Sequence, residues 1–164
     1  MKVLVIASLL IAATLDSLTC AAQGVNVVGS WKLVSVTSTT ADGKRNPAPY
    51  GPHPSGALHY SADGRMMLML SYSDRPRLSG ADRVAAPAAE RAQAFATFLG
   101  YAGRYSIADG KITHRIEVSS YENWVGTDLV RILRVDGRRL TLLTPPVSVN
   151  GGAQTIELTW ERVD

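Results

Sequence analysis

The sequence is poor in cysteine: its 164 residues include one, Cys20, near the amino terminus. A single cysteine cannot form an internal disulfide, and we expect this one to be removed with the first 22 residues. The mature chain would then have neither a thiol nucleophile nor a cysteine-ligated metal site. Stability would have to come from a packed core, and residues 23–164 suit one domain.

Motifs of several enzyme classes are also missing. The chain has no Gly-x-Ser-x-Gly elbow, no His-Glu-x-x-His and no glycine-rich phosphate loop. His53, His59 and His114 have spacings that do not suit a local metal motif. No pair of carboxylates stands out on the apolar strand faces, which disfavours glycosidase chemistry. We expect no cofactor and no metal.

The charge pattern argues against a nucleic-acid partner. The formal net charge is +3, and the arginines are scattered through the chain. Nucleic-acid binding usually requires basic residues concentrated in a stripe with aromatic residues between them. A solvated surface accounts for this charge.

The amino terminus predicts export. Lys2 precedes an apolar run at 3–15 that is too short to span a bilayer, and small residues follow it. This pattern predicts a signal peptide over residues 1–22 and a periplasmic or secreted protein without stable membrane insertion. Two alternatives are an uncleaved anchor and a lipoprotein attached through Cys20. The second is disfavoured because Ser17 occupies a position where a lipobox needs a leucine-like residue.

Four Asp-Gly pairs lie near strand-like runs, and this pair is typical of tight hairpin turns. The runs and turns together predict eight antiparallel strands. These are expected at residues 31–39, 57–61, 65–72, 103–108, 111–119, 127–135, 138–144 and 154–163.

One segment interrupts the strands. Residues 87–99 are rich in alanine and begin with proline, which predicts a helix over 87–100 packed on or across the sheet. Ala92, Phe95 and Leu99 would share its apolar face. The proline-rich loop 46–54 and the loop 74–86 are long enough to cover an opening.

Eight antiparallel strands favour an all-β closed barrel or a sandwich. A barrel of this size can be filled by side chains or can hold one small ligand. In a closed barrel the first and last strands are neighbours. Trp31 would then plug one end of the barrel, with Arg162 stacked over an indole ring.

Several stretches together resemble the lipocalin-like domain family of bacteria and fungi. The resemblance covers nearly all of residues 23–164 and implies an eight-stranded antiparallel barrel with one helix and a hydrophobic cavity. Arg115 and Glu122 depart from the family pattern, in which we expect a histidine and a proline. The matching stretches are GSWKLVSV (29–36), PHPSGALHYSADGRMM (52–67), DRPR (74–77), YAGRY (101–105), ITHRIEVS (112–119), NWVGTDLVR (123–131), LTLLTPP (140–146) and LTWERV (158–163).

His114 is the first candidate site residue. It alternates in step with Ile112, Ile116 and Val118, which places it on the apolar side of its strand. A buried imidazole needs a hydrogen-bond partner. Three interpretations remain open: a core histidine bonded to a tyrosine or a carbonyl, a ligand contact, or an acid–base catalyst.

Arg131 keeps step with Leu129 and Leu133 on another apolar face. It would either hold a carboxylate or carbonyl of a ligand inside the barrel or reach water from a strand end. Tyr60 and Tyr105 are further candidates for bonding His114 or a ligand, or would lie at the rim with wet hydroxyls.

Two more features suit a pocket. Met67 and Met69 belong to a strand that is apolar on both faces, and they would give the pocket an adaptable wall or belong to ordinary core. Trp124 would close over a ligand at the barrel mouth or pack in a turn.

These expectations favour a binding protein. We expect an exported lipocalin-like barrel that holds a small hydrophobic molecule with a polar end. The alternative is a cyclase or isomerase that uses the same pocket on a polyketide- or terpenoid-like substrate. A third possibility, a purely structural envelope protein, requires a filled lumen. The expected ligand-binding residues are His114, Arg131, Tyr60, Tyr105, Trp124, Met67 and Met69.

Overall fold

The computed structural model describes residues 25–149 and 151–163, so the predicted signal peptide and Cys20 lie outside the described residues. The described chain forms ten strands, one α-helix and a short 3-10 turn at Glu122–Trp124. The strands are β1 (Gly29–Thr40), β2 (Arg45–Asn46), β3 (Ser55–Tyr60), β4 (Arg65–Ser71), β5 (Phe98–Ala108), β6 (Lys111–Ser119), β7 (Asp128–Asp136), β8 (Arg139–Leu143), β9 (Val147–Val149) and β10 (Gly152–Val163), and the helix is α1 (Ala88–Ala96).

The sheet closes into an antiparallel barrel. Its strand order is β2-β1-β3-β4-β5-β6-β7-β8-β10-β9, and β1 also pairs with β10. In that closing pair Trp31 lies opposite Arg162, and Leu33 lies opposite Trp160. The short strands β2 and β9 extend hairpins at the ends of β1 and β10. The eight longer strands confirm the predicted eight-stranded barrel.

The Asp-Gly turns produce the hairpins because their backbones reach positive φ. Asp109 and Gly110 have φ values of 50° and 69°, as a two-residue type I′ turn requires, and they join β5 to β6. Gly64 and Gly137, each preceded by aspartate, also have positive φ and join β3 to β4 and β7 to β8.

The helix is shorter than expected and covers little. It ends at Ala96, and Phe98 already pairs with Ser71 of β4, so sheet hydrogen bonds replace the helical ones that were predicted up to residue 100. No residue of α1 is buried, and Phe95 is 57% exposed. The prediction of an apolar helix face packed on the barrel was therefore wrong.

Strand β4 places Met67 and Met69 on the outside of the barrel. These side chains are 50% and 46% exposed, whereas Leu68 and Leu70, which alternate with them, are buried inside. The prediction that both methionines line the lumen was wrong. Because β4 is apolar on both faces, its sequence pattern does not indicate which face points inward.

A bulge changes the direction of β6. The register between β5 and β6 shifts at Ala102 and Gly103, so that Ile116 faces inward but Val118 is 61% exposed. Close approach of the strands accompanies this bulge: a Cβ on Gly103 would lie 2.0 Å from the carbonyl oxygen of Arg115. Val118 therefore does not share the inner face with His114, contrary to the alternation in the sequence.

The segment before β1, the start of β1 and the end of β10 together seal one end of the barrel. The Arg162 guanidinium carbon lies 4.2 Å from the centroid of the Trp31 ring, the stacked arrangement expected from the sequence. Arg162 also donates to the carbonyl oxygens of Val28 and Asn26, at 2.6 and 3.1 Å. Trp31 Nε1 donates to the carbonyl of Val27 at 2.8 Å.

Within residues 25–149 and 151–163, no helix has the length and apolar character needed to cross a bilayer.

Candidate ligand-binding site

A cavity of about 150 Å³ lies inside the barrel, away from the end that Trp31 seals. Most of its wall is apolar because alternate residues of the strands point inward. The apolar wall consists of Leu68, Leu70, Leu99, Leu142, Val147, Ile156 and Leu158. The remaining lining residues are Tyr50, Tyr101, Trp124, Arg131, Thr144 and Ser148.

Aromatic side chains surround the mouth of the cavity. Trp124, carried by the 3-10 turn, meets the ring of Tyr101 edge-on with centroids 5.9 Å apart, and Tyr121 similarly at 5.5 Å. Tyr50 comes from the proline-rich loop and stacks on Tyr72 with centroids 4.2 Å apart. That loop therefore covers part of the opening, as its length suggested.

Arg131 brings a positive charge into the cavity wall. It lies on β7 with 9% of its surface exposed, so its head does not extend into water from a strand end. Its Nη1 donates to the carbonyl oxygen of Val130 at 2.8 Å, and the guanidinium interacts with the Tyr101 hydroxyl. None of the ion pairs found in the described part of the chain involves Arg131.

His114 lies next to the cavity but behind Tyr101. It is fully buried, with its Nε2 2.7 Å from the Tyr60 hydroxyl and its Nδ1 3.2 Å from the Tyr101 hydroxyl. Burial, followed by the charge of Arg131, lowers the His114 pKa to about 3. The imidazole is therefore neutral at neutral pH. It donates one hydrogen bond and accepts the other.

The buried hydroxyls also keep their protons. Burial raises the pKa of Tyr101, and the nearby Arg131 opposes that rise. Burial also raises the pKa of Tyr60 and of Tyr50, with smaller contributions from neighbouring tyrosines. At neutral pH these phenols act as neutral hydrogen-bonding groups and not as bases.

The structure brings together some of the expected site residues. Arg131 and Trp124 line the cavity, whereas Tyr60 and His114 lie beneath Tyr101 and are not among the lining residues. Tyr105 lies further toward the sealed end, where its ring meets Tyr60 edge-on at 4.8 Å. Its hydroxyl donates to the carbonyl oxygen of Ser61 at 3.0 Å.

Sequence reasoning missed the two tyrosines that line the cavity. Tyr101 lies between the predicted helix, which ended at residue 100, and the predicted strand 103–108. Its alternation with Gly103 and Tyr105 was the available signal. Tyr50 sits in an irregular loop, and its contact with the cavity depends on tertiary packing.

Comparison with known proteins assigns this chain to a family. The family profile described as "Lipocalin-like domain" matches residues 28–163. A similar protein is the "4'-hydroxy-3'-methoxypropiophenone carrier protein ppsC" of Aspergillus oryzae, 34% identical over 95 residues that cover 52% of this chain and 80% of that protein. A solved lipocalin-like protein from Bacteroides uniformis matches with a TM-score of 0.43 and 14% identity, over 83% of this chain and 97% of that one. The profile match, which spans most of the sequence, shows that this chain belongs to the lipocalin-like domain family.

Proposed function

We propose that this protein binds a small hydrophobic molecule with a polar end inside its barrel. The observation that carries the proposal is the position of Arg131, a buried cation without an ion-pair partner in the described chain, in the wall of an otherwise mostly apolar cavity. Burying a charge without a partner is costly, and a polar group of a bound ligand would offset that cost. The apolar wall would supply most of the affinity.

The size of the cavity limits the ligand. Its volume is about 150 Å³, and cavities of that size in protein cores accommodate molecules such as benzene. A molecule with a single aromatic ring and small substituents therefore suits the cavity as long as Trp124 and Tyr50 keep their positions at the mouth. Larger molecules would require Trp124 or Tyr50 at the mouth to move.

The Aspergillus relative supports a carrier role. Its name describes the carrier of a ketone that has one aromatic ring with hydroxyl and methoxy substituents. A molecule of this kind combines a flat apolar body with polar ends, which matches the lining described above. We propose the same class of ligand for this chain.

Binding is favoured over cyclase or isomerase activity. Acid–base catalysis needs a group that takes or gives a proton near the operating pH and touches the substrate. His114 is separated from the cavity by Tyr101, and burial keeps the Tyr101 hydroxyl protonated. The lining residues include no carboxylate.

Fluorescence titration tests the proposal. Of the three tryptophans, Trp124 lines the cavity, so 4'-hydroxy-3'-methoxypropiophenone should quench its emission saturably. A Trp124→Phe variant should lose the quenching while calorimetry still detects binding. Absence of saturable binding by either method would contradict the proposal for this ligand class.

A matched pair of variants locates the binding site. Leu142 lines the cavity, whereas its neighbour Leu143 points to the outer face of the barrel. Leu142→Trp should fill the cavity and abolish binding, at a stability cost of about 1–3 kcal/mol. Leu143→Trp should bind normally. Equal binding by both folded variants would place the ligand elsewhere.

The proposal includes export. The basic residue, short apolar run and small residues at the amino terminus support removal of residues 1–22. Intact-mass measurement of the protein from its own host tests this. A mass that includes residues 1–22 would contradict cleavage, and a lipid adduct on Cys20 would indicate the lipoprotein instead.

A further inference from the structure

We propose that the cavity selects aromatic molecules whose polar end is acidic and holds them as anions. A single ring that bears a phenol or a carboxylic acid fits this description, with its charged oxygen facing Arg131. This inference rests on the binding function proposed above. It adds the charge state of the ligand and the residue that selects it.

The guanidinium of Arg131 has hydrogen-bond donors to spare. An arginine has five N–H donors, of which one bonds the Val130 carbonyl and another faces the Tyr101 hydroxyl. Across residues 25–149 and 151–163, the ion pairs join other residues, all on the exposed surface. Paired guanidinium donors match the oxygens of a carboxylate, and they bind an anionic oxygen more strongly than a neutral carbonyl.

The groups that face Arg131 provide no negative charge. They are Tyr50 from the proline-rich loop, Tyr60 from β3, Tyr101 from β5 and His114 from β6. Burial keeps each hydroxyl protonated and keeps the imidazole neutral. The positive charge of Arg131 is therefore uncompensated in the cavity wall.

An uncompensated cation in an apolar cavity discriminates between charge states of a ligand. Its interaction with an anion is strong because the apolar wall screens charges poorly. A neutral ligand of the same shape gains the same apolar burial but leaves the cation unpaired. Burial raises the pKa of a phenol in this cavity, as it does for Tyr101, and Arg131 should bring the pKa of a bound phenol roughly one to three pH units below its value in the same cavity without the cation.

Two nitrophenyl probes separate charge from shape. 4-Nitrophenol can ionise and its phenolate absorbs visible light, whereas 4-nitroanisole, its methyl ether, stays neutral. Binding of each is measured by quenching of Trp124 over the pH range in which free 4-nitrophenol ionises. The absorption spectrum of bound 4-nitrophenol reports its charge directly.

We expect 4-nitrophenol bound to the unmodified protein to become a phenolate at a lower pH than 4-nitrophenol bound to Arg131→Gln. The corresponding preference for the anion is about 10- to 1,000-fold. Arg131→Gln should remove this preference and still bind 4-nitroanisole. Arg134 lies on the same strand with an exposed side chain, so Arg134→Gln is the matched control and should bind both probes as the unmodified protein does.

The possible outcomes separate the inference from the function on which it rests. Equal binding of both probes at every pH would overturn charge selection and leave the binding function standing. A phenolate preference that survives Arg131→Gln would overturn the role of Arg131. If neither probe binds, the inference fails, and the binding function fails with it only if the propiophenone also does not bind. Should Arg131→Gln not fold, Arg131→Lys must retain the preference, and its loss there would contradict charge selection.

Discussion

Replacement of His114 by glutamine should reduce the dependence of folding stability on pH. In the folded protein the imidazole is buried between two tyrosine hydroxyls, and its pKa is about 3. In the unfolded chain the pKa of His114 is near the ordinary histidine value of 6.5. As the pH falls below 6.5, His114 binds a proton in the unfolded state but stays unprotonated in the folded state. The stability contributed by neutral His114 is therefore complete above pH 6.5 and is lost as the pH falls toward 3.

The two pKa values give the size of this effect. A difference of about 3.5 units corresponds to about 5 kcal/mol once the pH lies below both pKa values. At about pH 5 the loss from this residue is about 2 kcal/mol. Glutamine does not titrate, so the stability of His114→Gln should not fall with pH for this reason. Disturbed hydrogen bonds to Tyr60 and Tyr101 should lower the free energy of unfolding of the variant by about 1–3 kcal/mol at every pH.

Urea denaturation at a series of pH values measures the effect. The free energy of unfolding of the unmodified protein should fall more steeply between about pH 7.5 and about pH 5 than that of His114→Gln, with a difference of about 2 kcal/mol. His53 has an exposed side chain, so His53→Gln is the control and should keep the steep dependence. Parallel curves for His114→Gln and the unmodified protein would refute a neutral, buried His114.

Two further predictions concern stability, and each compares matched substitutions by chemical denaturation. Trp31→Phe should destabilise the protein by about 1–2 kcal/mol more than Trp160→Phe. Trp31 Nε1 donates a hydrogen bond, and the Arg162 guanidinium stacks on the Trp31 ring. Trp160 Nε1 is buried without a partner in the described chain, so its removal costs no hydrogen bond. Equal costs would contradict this assignment. Gly103→Ala should cost more than about 2 kcal/mol because its Cβ would meet a backbone oxygen at 2.0 Å, and Gly100→Ala, where the nearest atom is a side-chain carbon at 3.3 Å, should cost less. The reverse order would show that the bulge accommodates a side chain.

The barrel was accessible to sequence reasoning because its signals are local. Each of the four Asp-Gly pairs indicates a hairpin turn at its own position. The alternation of apolar and polar residues along the strands placed His114 and Arg131 on inner faces. The number of strands left a closed barrel or a sandwich open, and the resemblance to the lipocalin-like domain family favoured the barrel, in which Trp31 and Arg162 meet.

The wrong predictions concern side chains whose orientation is decided by pairing with another strand. β4 is apolar on both faces, so its pairing with β3 and β5 decides that Met67 points outward. The bulge that turns Val118 outward is a property of the β5–β6 pair. Tyr50 and Tyr101 reach the cavity because of how the proline-rich loop and the first half of β5 pack against the rest of the barrel. Local strand or loop propensity does not encode that packing.

The pairing of β1 with β10 also constrains the order in which this protein can fold. Those strands stand at opposite ends of the described chain, so their contacts have the longest separation that the fold contains. A chain synthesised from its amino terminus can form the consecutive hairpins from β3 to β8 early, but one edge of β1 stays unpaired until β10 is available. The growing chain therefore exposes a strand edge, and with it the future cavity wall, until β10 has been synthesised. Loss of the final strand should consequently yield an aggregating chain and not a smaller soluble barrel.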